Sequence, residues 1–394
     1  MNENLALRLT NLSSHYGITI TYLRDNIMKS LSIVSAFAIL LGTTPLALSQ
    51  NDAATQQEPG STYKYIELNE LGDPAEVLEV KVGTRQPLQA GEVRVQVLAA
   101  PIHPANLLQI SGNYGVDPEL PSTPGGEGVG QVVEISPEVS HLSVGQLVLI
   151  AGIGTWRDEI VAGSASFIPL PDLGEPSMEV IEQLSMTVVN PLAALLMLNS
   201  FVALEEGDWL VQSAANSAVG GYIIQLAKQR GLKTINVVRR EGLAEELTAM
   251  GADVVLIDGP DLAKQIATAA GNEPVSLAID AVGGDTFTRL ANSLGFGGTV
   301  VAYGALSGKA ATLYTPITIF NDIRIRGFWL SKWFETASMQ EKQAAFGEVI
   351  PLVAGGVLKA NIDSRFTVSE IKEAVTRAAQ GGRNGKVLIV PNRN

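Results

Sequence analysis

The chain has 394 residues, with 27 Lys and Arg against 40 Asp and Glu, for a formal net charge of −13. Its apolar fraction of 46% is enough to bury a sizeable core, and the acidic balance argues against nucleic acid, whose phosphates need a positive surface. No cysteine is present, which excludes disulfides, thiolate nucleophiles and thiolate-ligated zinc.

In chain order, Met28-Lys29-Ser30 precedes an apolar run from Leu31 to Leu41, broken by Gly42 and Pro45, with Ala47-Leu48-Ser49 supplying small residues. That order reads as a secretory signal peptide cleaved after Ser49. Residues 1–49 are then a removed segment whose first 27 residues precede a Met-Lys start. Export to the periplasm or outside follows, with a cytoplasmic protein as the alternative. The apolar run is too short for a stable membrane span, a retained anchor being the other possibility. Residues 50–62 are polar and read as a flexible tether, so the folded body is expected to begin near Tyr63.

From Tyr63 to about Pro191, short apolar runs alternate with Gly and Pro, as in Val93–Val97, Gly130–Ile135 and Leu147–Ile150, which predicts a strand-rich domain. After Glu205 the texture becomes strand–helix alternation. Strands are expected at Trp209–Val211, Thr234–Val238, Val254–Ile257, Leu277–Asp280, Thr299–Tyr303 and Ile323–Gly327. Between the first two, a helix opens near Ala218 and stops at Gly231. This alternation builds a doubly wound parallel sheet. The tail from Trp333 shows two helical patterns and a last strand, Lys386–Val390, expected to return to the first domain.

The turn Gln212–Gly221 follows the first of these strands. It is not GxGxxG, yet its small residues Ala215, Ala218 and Gly220 allow close backbone approach, and the helix start offers free N–H groups to a diphosphate. The plain alternative is an Ala/Ser-rich connection. The second strand ends in Arg239-Arg240, where guanidinium groups suit a ribose 2′-phosphate and predict NADPH rather than NADH; a solvated arginine pair is the plain alternative.

Over residues 63–394 the chain resembles the zinc-free members of the medium-chain dehydrogenase/reductase superfamily, and within it the mitochondrial-type 2-enoyl thioester reductases. The motifs are Gly112-Asn113-Tyr114-Gly115, Gly125–Gly130, Gly154-Thr155-Trp156-Arg157, Val189-Asn190-Pro191, Asn216–Gly220, Thr234–Arg239 and Gly327–Trp333. The resemblance implies a GroES-like, β-rich catalytic domain (63–190 and 333–394) and a Rossmann NADPH-binding domain (191–332), with the active site in the cleft between them. It implies reduction of the conjugated double bond of a 2-enoyl thioester, and a homodimer. Tyr114 would be the proton donor. NADPH would be held by Asn190, by Asn216, Ser217, Ala218 and Val219, and by Arg239 with Arg240. Tyr303, Gly304, Ala305 and Leu306, then Phe328, Trp329 and Leu330, and finally Lys386 would complete the cofactor site. Two departures stand out: Ala218 where the family's turn has Gly, and Ala193 where the family has Thr.

The chemistry is consistent with these residues. Hydride addition at the β-carbon builds an enolate, which needs fixed donors for its oxygen and an acid for the α-carbon. A phenol is closer in acidity to an enol than a carboxyl is. Glu127 follows Gly126 rather than His, so no metal is expected and Glu127 reads as structural, with His103 a satisfied loop histidine and His141 a surface one. Trp156, Trp329 and Trp333 line an acyl pocket or pack in the core. No basic cluster marks a carrier for the thioester. The competing functions are an NADPH-dependent quinone or enone reductase of the same superfamily, and an exported nucleotide-binding protein without catalysis.

Overall fold

A computed structural model describes residues 60–392, which all belong to one unit, Phe37–Asn394. The expected signal peptide, the segment before it and most of the tether lie outside the described residues. No described helix is long and apolar enough to cross a membrane.

Fifteen strands run through the described residues in three sheets. β1 (Thr62–Leu68) and β2 (Leu78–Thr84) form an antiparallel pair. The second sheet contains β3 (Glu92–Ile102), β4 (Glu127–Ile135), β5 (Leu147–Ala151), β6 (Glu159–Gly163) and β7 (Phe167–Pro169). The third is the parallel sheet, made of β8 (Trp209–Gln212), β9 (Lys233–Val238), β10 (Val254–Ile257), β11 (Val275–Asp280), β12 (Thr299–Ala302) and β13 (Arg324–Gly327). The last two strands, β14 (Ile362–Phe366) and β15 (Lys386–Ile389), rejoin the second sheet, β15 pairing antiparallel with β3. That sheet has the order β14-β15-β3-β4-β5-β7, with β6 on the other edge of β3.

The parallel sheet has the order β10-β9-β8-β11-β12-β13, which reverses direction beside β8. This is the doubly wound arrangement the strand–helix alternation predicts. All six predicted strands form, within a residue or two of their expected ends. In the tail, β14 is a strand that the sequence reading did not expect. Its sequence, Ile-Asp-Ser-Arg-Phe, carries three polar residues in the middle, and it pairs because β15 offers an edge and Arg377 covers its Asp363 at 2.8 Å. Sequence periodicity contains neither fact.

One core joins the sheets. Val129 and Leu149 of the second sheet, Leu210, Ile279 and Val301 of the third, and the helix Asn190–Ser200 share a single apolar cluster. That helix is apolar on every side, with Asn190 to Met197 buried, as a helix enclosed by protein on all faces must be. A second cluster fills the second sheet and includes Trp156, which has no exposed surface. Trp156 therefore packs in the core and does not line a pocket. Trp333 also packs inward, edge-on against Phe334 at 5.2 Å between ring centres.

Candidate functional site

Parallel strands all end on the same side, so the loops leaving β8, β11, β12 and β13 share one rim of the sheet. The turn after β8 is tightly built. Ala214 adopts φ +49°, and Ser217 caps the helix Ala218–Gln229 by accepting the Gly220 N–H at 3.1 Å. Gln212 ties this turn to its neighbours, donating to the Gly220 carbonyl at 3.0 Å and to Asn236 Oδ1 at 2.8 Å. At Gly220 a Cβ would overlap the Ala215 backbone, so only glycine lets the helix start this close to the strand. The capping bond uses one of the free N–H groups of the first turn and leaves those of Ala218 and Val219 open, at the positive end of the helix dipole.

A buried carboxylate locks the neighbouring loops to this turn. Asp280, at the end of β11, accepts Ser213 Oγ at 2.6 Å and the backbone N–H of Gly283 at 2.7 Å, while Ser213 Oγ accepts the Ala281 N–H at 2.9 Å. The Tyr303 N–H reaches the Asp280 carbonyl at 2.9 Å, and the Tyr303 phenol bonds Ser217, burial holding that phenol's pKa well above its ordinary value. A Cβ on Gly304 would press against the Ala281 carbonyl. The turn Asn216–Val219 and the loop Tyr303–Leu306 are thus brought together. Sequence reasoning missed Ser213 and Asp280; an aspartate ending an otherwise apolar strand was the available signal.

The loop after β13 meets the other domain. The Trp329 indole N–H donates to the Tyr114 phenol oxygen at 3.3 Å, across 215 positions of sequence. An indole nitrogen is only a donor, so the phenol oxygen accepts and its own O–H stays free to donate elsewhere. Tyr114 stands half-buried between Gly112 (φ +71°) and Gly115 (φ +88°), left-handed positions that project it from its loop. Phe328 is fixed by its N–H on the Ala302 carbonyl at 2.9 Å and packs edge-on with Phe201.

Arg239 and Arg240 follow β9, both exposed, and neither is paired with a carboxylate among the described residues. Asn190 is buried, and its Nδ2 has no partner among the described residues. Lys386 is also buried, its Nζ 2.8 Å from His103 Nδ1. His103 Nε2 lies 2.6 Å from Glu127 Oε1, and Glu127 Oε2 accepts the Val189 N–H at 2.8 Å, one residue before Asn190. His103 is therefore a satisfied buried histidine, as expected, while His141 is exposed. Glu127 is fully enclosed and caps the start of the helix Asn190–Ser200, where negative charge is favourable. No group of three or more His, Asp or Glu side chains placed to hold a metal exists among the described residues.

Two family models match, one described as an alcohol dehydrogenase GroES-like domain (residues 89–172) and one as a zinc-binding dehydrogenase (residues 218–349). Among curated proteins, the human enzyme named mitochondrial enoyl-[acyl-carrier-protein] reductase is 36% identical over 326 residues, covering 81% of this chain and 86% of the relative. A protein of the same name from Dictyostelium discoideum is 34% identical over 343 residues, 84% and 95% of the two chains. Among solved structures, the mitochondrial 2-enoyl thioester reductase Etr1p/Etr2p heterodimer from Candida tropicalis superimposes with a TM-score of 0.75 at 27% identity, covering 84% of this chain and 100% of that one. A putative NADPH:quinone reductase from Bacillus thuringiensis matches with a TM-score of 0.76 at 29% identity, covering 84% and 99%. The curated relatives are named as mitochondrial, and nothing in these comparisons supports the expected export.

Proposed function

Because the chain belongs to the medium-chain dehydrogenase/reductase superfamily, with mitochondrial enoyl-[acyl-carrier-protein] reductases among its relatives, we propose that it reduces the conjugated double bond of a 2-enoyl thioester with NADPH. The observation that carries this reading is the Trp329–Tyr114 contact, which sets a phenol with a free O–H beside the loops that end the parallel sheet.

The residues fit a dinucleotide. Asn190 Nδ2 is a buried donor with no partner among the described residues, and Gly220 and Gly304 keep side-chain bulk away from the rim at places where a Cβ would collide. The Ala218 and Val219 N–H groups would take the diphosphate, and the helix dipole assists them. Arg239 and Arg240 would take the 2′-phosphate by charge-assisted contacts. Asn190 and Lys386 would hold the reacting end, and the Tyr303–Leu306 and Phe328–Leu330 loops would flank it. When bound, NADPH supplies the hydride for the substrate's β-carbon. Tyr114 then protonates the α-carbon, and its hydroxyl is oriented because the Trp329 indole occupies the phenol oxygen. Ala218 in place of glycine leaves the Ser217 cap and both free N–H groups intact, so the departure from the family pattern does not remove the anion site.

A quinone as the acceptor is a second reading, favoured by the likeness to the Bacillus thuringiensis reductase at equal fold similarity. An NADPH-oxidation screen on the purified chain separates the two. Turnover with crotonyl thioesters well above that with naphthoquinone is the expected result; the reverse order assigns the quinone, and oxidation of neither overturns both.

A further inference from the structure

The strand register brings three titratable side chains into line. β15 pairs antiparallel with β3 so that Val387 faces Ile102, which sets Lys386 beside His103. β4 pairs antiparallel with β3, Val129 facing Ala99, which brings Glu127, the first residue of β4, to the same end of the sheet. The result is one buried chain, Lys386 Nζ–His103 Nδ1 (2.8 Å) and His103 Nε2–Glu127 Oε1 (2.6 Å), continued by Glu127 Oε2 to the Val189 N–H (2.8 Å). It joins Lys386 to the residue preceding Asn190, and both are cofactor residues in the function proposed above, on which this inference rests.

We infer that Glu127 and His103 are positioning residues for Lys386, holding its ammonium charged and oriented at the cofactor site and so making NADPH binding depend on pH. An ammonium has only N–H donors, so His103 Nδ1 must present its lone pair and Nε2 must carry the hydrogen donated to Glu127. One tautomer satisfies all three groups, and the carboxylate balances the ammonium through a neutral ring. Removing that carboxylate leaves a buried cation unbalanced, the costly case for an enclosed pair.

The surroundings agree. Burial, and then the charge of Lys386, push the His103 pKa down, so the ring is neutral. Burial lowers Lys386 to about 8, with Glu127 opposing that shift and Arg383 adding to it. Arg383 itself feels Asp363 and Arg377, which pair with each other at 2.8 Å. Tyr222, from the helix Ala218–Gln229, adds its buried phenol near Glu127, held neutral by burial and by that carboxylate. The ammonium form exists below about pH 8 and is lost above it, so cofactor affinity should fall as pH rises through that value.

The test is calorimetric titration of the full chain with NADPH between pH 6 and 9.5, for the wild type, Glu127→Gln and Lys386→Met. In the wild type the Kd should rise above pH 8, approaching about tenfold per pH unit, the limit for one linked proton. In Glu127→Gln the carboxamide still accepts from Val189 but offers an N–H to His103, which turns the tautomer against Lys386. The midpoint should fall to lower pH, weakening binding at pH 7.5 by about threefold for the first unit of displacement and approaching about tenfold for each further unit, with recovery toward pH 6. Lys386→Met should bind weakly at every pH, without the slope. An unmoved midpoint in Glu127→Gln overturns the inference. Unchanged affinity in Lys386→Met also overturns it, while leaving the NADPH reading standing; a wild type that does not bind NADPH overturns both. Imidazole ¹⁵N shifts of the wild type give a measurement that needs no variant to fold, and with only three histidines in the chain His103 is assignable. Hydrogen on Nε2 is expected; hydrogen on Nδ1 overturns the inference.

Discussion

Tyr114 meets the parallel-sheet domain through the 3.3 Å bond from Trp329. Tyr114→Phe keeps the ring and its packing and deletes the donor. Turnover of a 2-enoyl thioester should fall by about 10²–10⁴, the usual range for general acid catalysis, while NADPH affinity and thermal unfolding stay near wild type. Full retained turnover would mean that the proton comes from elsewhere. Arg239→Ala tests the other end of the site. A charge-assisted contact contributes about 1.5–3 kcal/mol, so the Michaelis constant for NADPH should rise by about 10- to 150-fold with little change for NADH. Equal losses with both cofactors would show that this arginine does not read the 2′-phosphate. Both residues stand out in the sequence because each sits in a short motif or at the end of a recognisable strand. The Glu127–His103–Lys386 chain does not, since its members come from β4, from the residue just past β3 and from β15, and no local pattern carries the mutual register of those strands.

At the scale of the element, the turn after β8 depends on Gly220. A methyl group there would overlap the Ala215 backbone, and backbone cannot move aside as a flexible side chain does. Gly220→Ala should cost about 1–3 kcal/mol through overpacking and tilt the helix Ala218–Gln229 away from the strand, moving the Ala218 and Val219 N–H groups with it. The check is thermal unfolding with and without NADPH. A lower Tm together with a smaller cofactor-induced rise is expected, and an unchanged rise would show that the helix start does not hold the cofactor. The extent of this helix, from near Ala218 to a stop at Gly231, was readable in advance, because helix ends are set by local chemistry; the Ser217 cap emerged only with the structure. The fate of Trp156 was not readable either: the sequence left an acyl pocket and core packing both open, and only the packing of the second sheet decides that it is enclosed.

For the whole molecule, the texture change near Glu205 was enough to anticipate two kinds of sheet, and the final apolar strand was enough to suggest a return to the first. What a single chain's sequence does not contain is how the open edge of the parallel sheet is managed. β13 ends that sheet with all four residues exposed, including Ile325 at 49%, and the helix just before it presents Ile319 at 65% and Phe320 at 75%. An unpaired strand beside exposed apolar side chains is a template for another strand. The occupant that fits such an edge by symmetry is a second copy, since two identical strands can pair antiparallel across a two-fold axis. The homodimer implied by the family resemblance is therefore expected to form through β13. Sedimentation of the wild type should give a dimer. Ile325→Lys and Phe320→Asp would each place a charge at the centre of the contact, where disruption typically costs about 2 kcal/mol or more, roughly 30-fold in the dimer Kd. Both variants should sediment toward the monomer at low micromolar concentration while keeping wild-type circular dichroism. Dimers of undiminished stability in both would place the interface on another surface and leave β13 a bare edge.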